Sequence, residues 1–427
     1  MKTFLWLSFL LAGQVFAQTL TFDEVWKVYL EKSPDLLAIR KEKEASDLAY
    51  ERGSLHWLPR LSLMGQWSDT NDPGQVFFNN LGQRAITQQD FIPSALNRPD
   101  RQRFLNASLG LSLPLYEGGM KKEEASMLKE LARSSEIELM AKKTEHYAEL
   151  TRQYGSLLIH EMNLNSLENL NGELSKIISS YQMGSKSNPV GYSGLLGLKG
   201  VSNRLEGLQI SFNLSVKNKK DWISEKAGLT IPWKTSTGSG VNDFISQVFQ
   251  ESTGEAFSSM FRTQELKVSA LAHAPKMEQA RFLPQLGIFA QNNLYSGDRD
   301  SESSQTLGLY LMWDLFNPNS YNRSSEATAK YLSMKAKLEA GRQEESIMKA
   351  NLLSSKEALE TNLRLLADSN RLLNEQSVTA MKIFKAGLLS ALQLAEVINR
   401  RIDVIEQKNT VELQYLDVRS RLYQLSH

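Results

Sequence analysis

The sequence predicts a mixed α/β chain in which short two-faced strands run straight into very long helices, and it predicts that plan twice. Three observations support this. LGLSLPLYEGG, residues 109–119, alternates leucine with small residues and then turns charged. No proline falls between residues 115 and 188 or after 318, which leaves room for uninterrupted helix. Phrases also recur in the same order: HWLPRLSLMGQW and RFLPQLGIFAQN, LGLSLPLYEGG and LGLYLMWDLFNPN, YQMGS and FKAGL, each pair about 200–225 residues apart.

At the start of the chain, Lys2, the apolar run FLWLSFLLAG and the small residue Ala17 predict a secretory leader over residues 1–17. The first repeat is then expected over 18–240 and the second over 241–427. With no cysteine, neither a lipid anchor nor a disulfide framework is expected. Lys plus Arg, 49, nearly equals Asp plus Glu, 48, so no bulk charge favours nucleic acid as a partner. No later apolar run approaches the roughly 18 residues of a spanning helix. An exported chain of this kind either stays in water or crosses a membrane by strands.

In each repeat a Leu-Pro pair closes a helical stretch and opens an alternation, because proline biases its predecessor away from helix and is tolerated at strand starts. The alternating segments 60–68, 105–115, 284–293 and 305–315 have about the 9–11 residues a spanning strand needs. Leu61, Leu63, Gly65 and Trp67 share one face, with Ser62, Met64 and Gln66 on the other. Leu109, Leu111 and Leu113 likewise oppose Ser108, Gly110 and Ser112, and Leu309 and Leu311 occupy the equivalent places in the second repeat. These leucines are the expected lipid-facing set, with small or polar residues inward. Phe289 and Met312 fall on the inward side, against the pattern. Trp57, Trp67, Tyr116, Trp313 and Phe316 cluster near strand ends, as an interfacial aromatic belt would. Four strands cannot enclose a pore, so membrane insertion requires several copies to close one barrel. Residues 69–104, which include NRPDRQR, are expected to form a long external loop.

Residues 120–182 and 320–384 are each expected as one helix of roughly 95 Å. Leu150, Tyr154, Leu157, Leu164, Leu167 and Leu174 recur in the first at helical spacing, and Leu352, Leu359, Leu363, Leu366 and Leu373 in the second. Gly184 and Gly387 suit left-handed caps, after which helices return over 192–228 and 389–424. The first return contains Gly194, Gly197, Gly200 and Gly207, and its QISFNLSV patch reads more like strand than helix.

No catalytic constellation, cofactor site or metal site is expected. His56, His146, His160, His273 and His427 are scattered and lack ligand spacing. The glycine-containing stretches lack the lysine placement of a phosphate-cradling loop.

SPDLLAIRKEKEASDLA before LPRLSL, the strand-to-helix phrase LSLPLYEGG, the turns YQMGS and FKAGL, and the renewed QARFLPQL together resemble the bacterial outer-membrane efflux proteins of the TolC type. The resemblance covers nearly the whole chain after residue 17. It implies a homotrimer in which each chain gives four strands to a twelve-stranded outer-membrane β-barrel, continued by a long periplasmic α-helical barrel. It implies a passive, non-enzymatic exit duct of a tripartite efflux or type I secretion system. The partners would be outer-membrane lipid, a periplasmic adaptor (membrane fusion) protein and an inner-membrane pump or ABC exporter. Smaller helices near 21–33 and 241–260 would form an equatorial girdle. The tip turns and aperture would involve Gly184, Lys186, Asn188, Gly387, Ser390 and Gln393. The family's tip turns often carry an aspartate, and the turns here do not offer one. The alternative is a non-conducting surface or periplasmic coiled-coil protein, structural or adhesive, which would need one long rod and no barrel-length strands.

Overall fold

Proline and glycine punctuate the chain where elements change. The structure, a computed structural model, describes residues 18–181, 188–230, 232–236, 240–249 and 258–427. The expected leader, Gly184 and Lys186 lie outside the described residues. A short strand, β1 (Gln18–Leu20), precedes α1 (Phe22–Lys32), which Thr21 and Glu24 start with a capping box. Then α2 (Pro34–Ser54) ends ahead of Pro59, and β2 (Arg60–Thr70) begins at the next residue.

The expected loop at 69–104 is not featureless. It holds α3 (Pro73–Gly82), with Asp72 as N-cap and Pro73 in the first turn, and the short α4 (Pro93–Asn97). Next come β3 (Gln102–Glu117), α5 (Met120–Ser180) and α6 (Pro189–Ala227). The strand-like patch QISFNLSV is therefore helix: Leu205 and Phe212 on α6 are buried against other helices, and that burial overrides local preference. The chain continues through β4 (Trp233–Thr235), α7 (Val241–Val248), α8 (Ser259–Leu271) and α9 (Ala274–Ala280). It closes with β5 (Gln285–Gly297), β6 (Ser301–Met312), α10 (Arg323–Lys385) and α11 (Ala391–Ser426). The order strand, strand, very long helix, returning helix thus occurs twice.

The residues fall into two compact units, each drawing on both halves of the chain. One comprises the described residues up to Lys41, of Ile137–Arg262 and of Ala340–His427, and among these its only strands are the parallel pair β1–β4, the rest being mainly helix. Two apolar clusters hold it together. The first gathers Val25 and Tyr29 of α1, Tyr154 and Leu157 of α5, Phe244 of α7 and Leu416 of α11. Tyr154 donates to the Leu20 carbonyl at 2.9 Å, and burial pushes its phenol up to about 12. The second stacks Leu167, Leu170 and Leu174 of α5 against Leu198 and Val201 of α6 and Leu394, Ile398 and Ile402 of α11. Leu167 and Leu174 belong to the stripe read from the sequence, whereas the glycine-rich α6 gave no such pattern there and supplies Leu198 and Val201 all the same. Each fully buried leucine contributes about 1.5–3 kcal/mol.

The other unit, Glu42–Glu136 and Thr263–Glu339, contains a four-stranded antiparallel sheet in the order β2-β3-β5-β6. Pro114 lies inside β3, where it cannot donate to the ladder, and the register shifts there between Pro114 and Tyr116. The strands of 11, 16, 13 and 12 residues are somewhat longer than the alternation alone suggested.

Candidate functional site

Residues directly opposite in an antiparallel ladder point to the same side, so the register maps the two faces of the sheet. Leu61 faces Leu111, Leu111 faces Ala290, and Ala290 faces Leu307. The next rows set Leu63 against Leu109, and Leu113 against Ile288 and Leu309. Beyond the bulge, Tyr116 takes the register place opposite Leu286, which pairs with Leu311. The seven leucines singled out from the sequence therefore share one face. Leu63 is 78% exposed and Leu309 71%, and Leu61 and Leu311 are comparably open. The Leu63–Leu109 row continues into Asn292 and Gln305, which interrupt the leucines; a leucine-rich face of this size, left open by its own chain, still marks a surface that meets lipid or another protein. Moving it from water into hydrocarbon is favourable by on the order of 10 kcal/mol.

The opposite face carries Ser62, Gln66, Ser108, Asn106, Gln291, Asn293 and Thr306 in facing rows. Its aromatic exceptions have partners. The Phe289 ring lies where a side chain at Gly308 would be, 2.7 Å from an added Cβ, and Tyr310 covers Gly287 in the same way at 2.4 Å. Each ring fills the gap beside a glycine on the neighbouring strand, so the inward Phe289 reflects cross-strand packing.

Trp57, Tyr116, Trp313 and Phe316 all lie at the end of the sheet where the helices join, while Trp67, opposite Leu105, lies toward the other end. Trp313 donates its indole N–H to the Phe282 carbonyl at 3.0 Å. All five rings are largely exposed.

The turns at the far ends of the long helices lie in the helical unit. Gly387 has φ +77°, the left-handed region, and its N–H donates to Phe384 while Leu388 N–H reaches back to Ile383, closing α10. Ser390 then caps α11, trading hydrogen bonds with Gln393 in a capping box. Asn188 caps α6 by accepting from Gly191 N–H at 3.2 Å. The helix ends that flank the turns sit side by side: the Tyr181 and Phe384 rings are 5.6 Å apart, and an added Cβ at Gly194 would lie 2.6 Å from that of Ala391. Gly194 thus permits close helix approach, a role hidden in the sequence because its partner is about 200 residues away. Val190 and Leu388 were not singled out from the sequence, yet each is 80% exposed beside these turns. Farther along the hairpins, Arg204 donates to Asp403 at 2.7 Å, which raises its affinity for the proton. Burial lowers that of Arg401, which donates to Ser377 Oγ at 2.9 Å.

His146 and His160 serve helix packing. His146 Nδ1 is 2.9 Å from the Tyr29 hydroxyl, and His160 is buried beside Phe212. Burial holds both below the usual imidazole range. Among the described residues, no three His, Asp or Glu side chains are grouped to hold a metal ion. No helix among them is long and apolar enough to cross a membrane.

Neither a protein-family model nor a curated protein matches the chain. Solved structures do. CusC, whose structures describe folding and transmembrane channel formation, superposes with a TM-score of 0.78 at 11% identity, covering 95% of this chain and 91% of its own. VceC, an outer-membrane protein of Vibrio cholerae, gives 0.73 at 12% identity, covering 95% of each chain. The MtrE outer-membrane channel of Neisseria gonorrhoeae gives 0.75 at 13% identity, over 95% of this chain and 88% of its own. At such identities the agreement is one of fold. Over 95% of its length the chain has the fold of the TolC-type outer-membrane channels.

Proposed function

We propose that the chain is the exit duct of a tripartite efflux or type I secretion system, set in the outer membrane and extending into the periplasm. The observation that carries this reading is the four-stranded sheet, with a bare leucine face and two open edges, on a chain that also forms helices of 61 and 63 residues. Edges cannot remain open in hydrocarbon. The β6 edge of one copy therefore pairs with β2 of the next, and three copies give a twelve-stranded barrel with leucines toward lipid and the serine, asparagine and glutamine rows toward the lumen. Trp57, Trp67, Tyr116, Trp313 and Phe316 lie at the two interfaces.

The duct arises by duplication of a strand-pair and helix-hairpin unit, 18–240 and 241–427, behind a leader cleaved after Ala17. Its long helices line a periplasmic conduit. Gly184, Lys186, Asn188, Gly387, Ser390 and Gln393 ring the tapered end, and Val190 and Leu388 offer apolar contacts there to a periplasmic adaptor. The duct performs no covalent reaction, and the energy for transport comes from the inner-membrane pump or ABC exporter.

Electron imaging of the mature protein extracted from outer membranes tests the reading. A three-fold hollow particle with a detergent ring at one end supports it. A solid rod, or a compact particle recovered without detergent, refutes it.

A further inference from the structure

The segment between β2 and β3 does not stand clear of the sheet. After Thr70 the chain turns at Asp72 into α3, which crosses the polar face to pack on β5 and β6. Asn106 Nδ2 on that face donates to Asn79 Oδ1 at 2.7 Å, and the Tyr295 ring sits where a side chain at Gly82 would be. Beyond α3, Gln83 Oε1 accepts from the Asp300 N–H at 3.0 Å, and Arg299 grips both carboxylate oxygens of Asp90 at 2.8 and 2.9 Å. Two-point pairing of this kind is directional as well as strong. The helix is therefore fastened over the outer part of the face that the duct reading turns toward the lumen.

With these contacts made, α3 still presents Phe78, 68% exposed, and Leu81, 51% exposed, one helical turn apart. They border an open groove of about 740 Å³ that runs across Tyr295 to Ser304 on β6, the free edge of the sheet. Chain continuity indicates what fills it. Thr70 ends β2 at the same end of the sheet where Ser301 begins β6. When the next copy's β2 completes the β6 edge, its α3 starts beside this groove. Asp72 caps the start of the helix, and Arg84, which follows its end, reaches the Ser303 carbonyl at 3.5 Å and Glu302 at 3.9 Å on β6, beside the same groove.

We propose that the α3 helices of three copies dock head to tail inside the outer mouth of the barrel, with Phe78 and Leu81 forming an apolar constriction at its centre. This rests on the duct reading and adds a narrowing distinct from the helical tips. Twelve strands at ordinary spacing and tilt give a backbone radius of about 12 Å. A helix lying on the inner wall is about 10 Å thick, so three of them leave almost no straight path to the axis. Cargo passage then requires α3 to lift from the sheet, and the Asp90–Arg299 pair is the fastening that resists it.

The test uses site-specific cross-linking in outer membranes, made simple by the absence of cysteine. Phe78→Cys and, separately, Leu81→Cys are treated with a short bismaleimide, with Leu63→Cys on the leucine face as control. A lysine-reactive cross-linker reports the trimer in the same samples. Covalent dimers from either α3 variant and none from the control are expected, with the yield reduced several-fold when Arg299→Ala is added. An intact trimer with no bond between copies at either α3 position overturns the constriction and leaves the duct standing. Loss of the trimer itself overturns both.

Discussion

Leu307 lies near the middle of β6, with about 15–20 Å of strand on either side, in the row Leu61, Leu111, Ala290. It is 78% exposed within its own chain. If that face met water, Leu307→Arg would change stability by no more than about 0.5 kcal/mol, as at most open surface positions. If it meets the middle of a bilayer, an arginine there costs about 2–4 kcal/mol, a factor of roughly 30 to 1000 in the folding equilibrium. Thr306 supplies the internal control, because the neighbouring residue in a strand points to the other face. Denaturant titration of protein refolded into lipid vesicles measures both variants. The expected result is a large loss for Leu307→Arg and a small one for Thr306→Arg. Equal effects, or a tolerated arginine at 307, would refute the assignment of faces and with it the membrane role of the sheet.

Three further outcomes follow from the helical unit. Gly387→Pro removes the N–H bonded to Phe384 and cannot adopt φ +77°, so export should fail while protein level and membrane insertion stay normal; unimpaired export would count against the tip assignment. Gly194→Leu forces a side chain into Ala391 and should cost about 1–3 kcal/mol, whereas Gly200→Ala, with nothing within 4 Å of the added carbon, should gain up to about 1 kcal/mol; thermal melts of the two variants distinguish these signs. His146 and His160 both have folded affinities for the proton depressed by burial, so below about pH 6.5 the unfolded chain binds more protons than the folded one. Their stabilisation is present above that pH and is lost as pH falls toward the folded values, at up to about 1.4 kcal/mol per pH unit for each histidine. Melting from pH 7 to pH 5 should therefore show a shallower decline in His160→Gln than in the parent, and parallel curves would remove His160 from the account.

Much of this architecture was readable because it rests on local periodicity. The long helices, expected over 120–182 and 320–384, form over Met120–Ser180 and Arg323–Lys385. Their leucine stripes and the absence of proline leave few alternatives. The strand faces were legible for the same reason, since a period of two sorts leucine from serine without knowledge of any partner. What was missed depends on contacts distant in sequence. Phe289 breaks the alternation because Gly308, on the next strand, makes room for it. The helicity of QISFNLSV is decided by burial of Phe212, and the tolerance of Gly194 by Ala391. The helix α3 carried a local signal, Asp72 followed by Pro73, but Gly74, Asn79, Asn80 and Gly82 diluted it. Only the sheet beneath shows why asparagine and glycine belong there.

The unpaired edges of β2 and β6 also bear on how such a molecule comes into being. In the proposed duct a single chain can satisfy neither edge, so it has no stable inserted form. On that reading, crossing into the bilayer and meeting two sister chains are one event, whose rate rises steeply with the concentration of chains awaiting assembly. Until that event the leucine face and both edges are exposed to water together, the combination from which strand proteins aggregate. Biogenesis, rather than transport, is thus the stage at which the sheet of such a duct is most vulnerable. On the duct reading, a mutation that only slows association is expected to show first as missing protein, with the assembled copies that remain working normally.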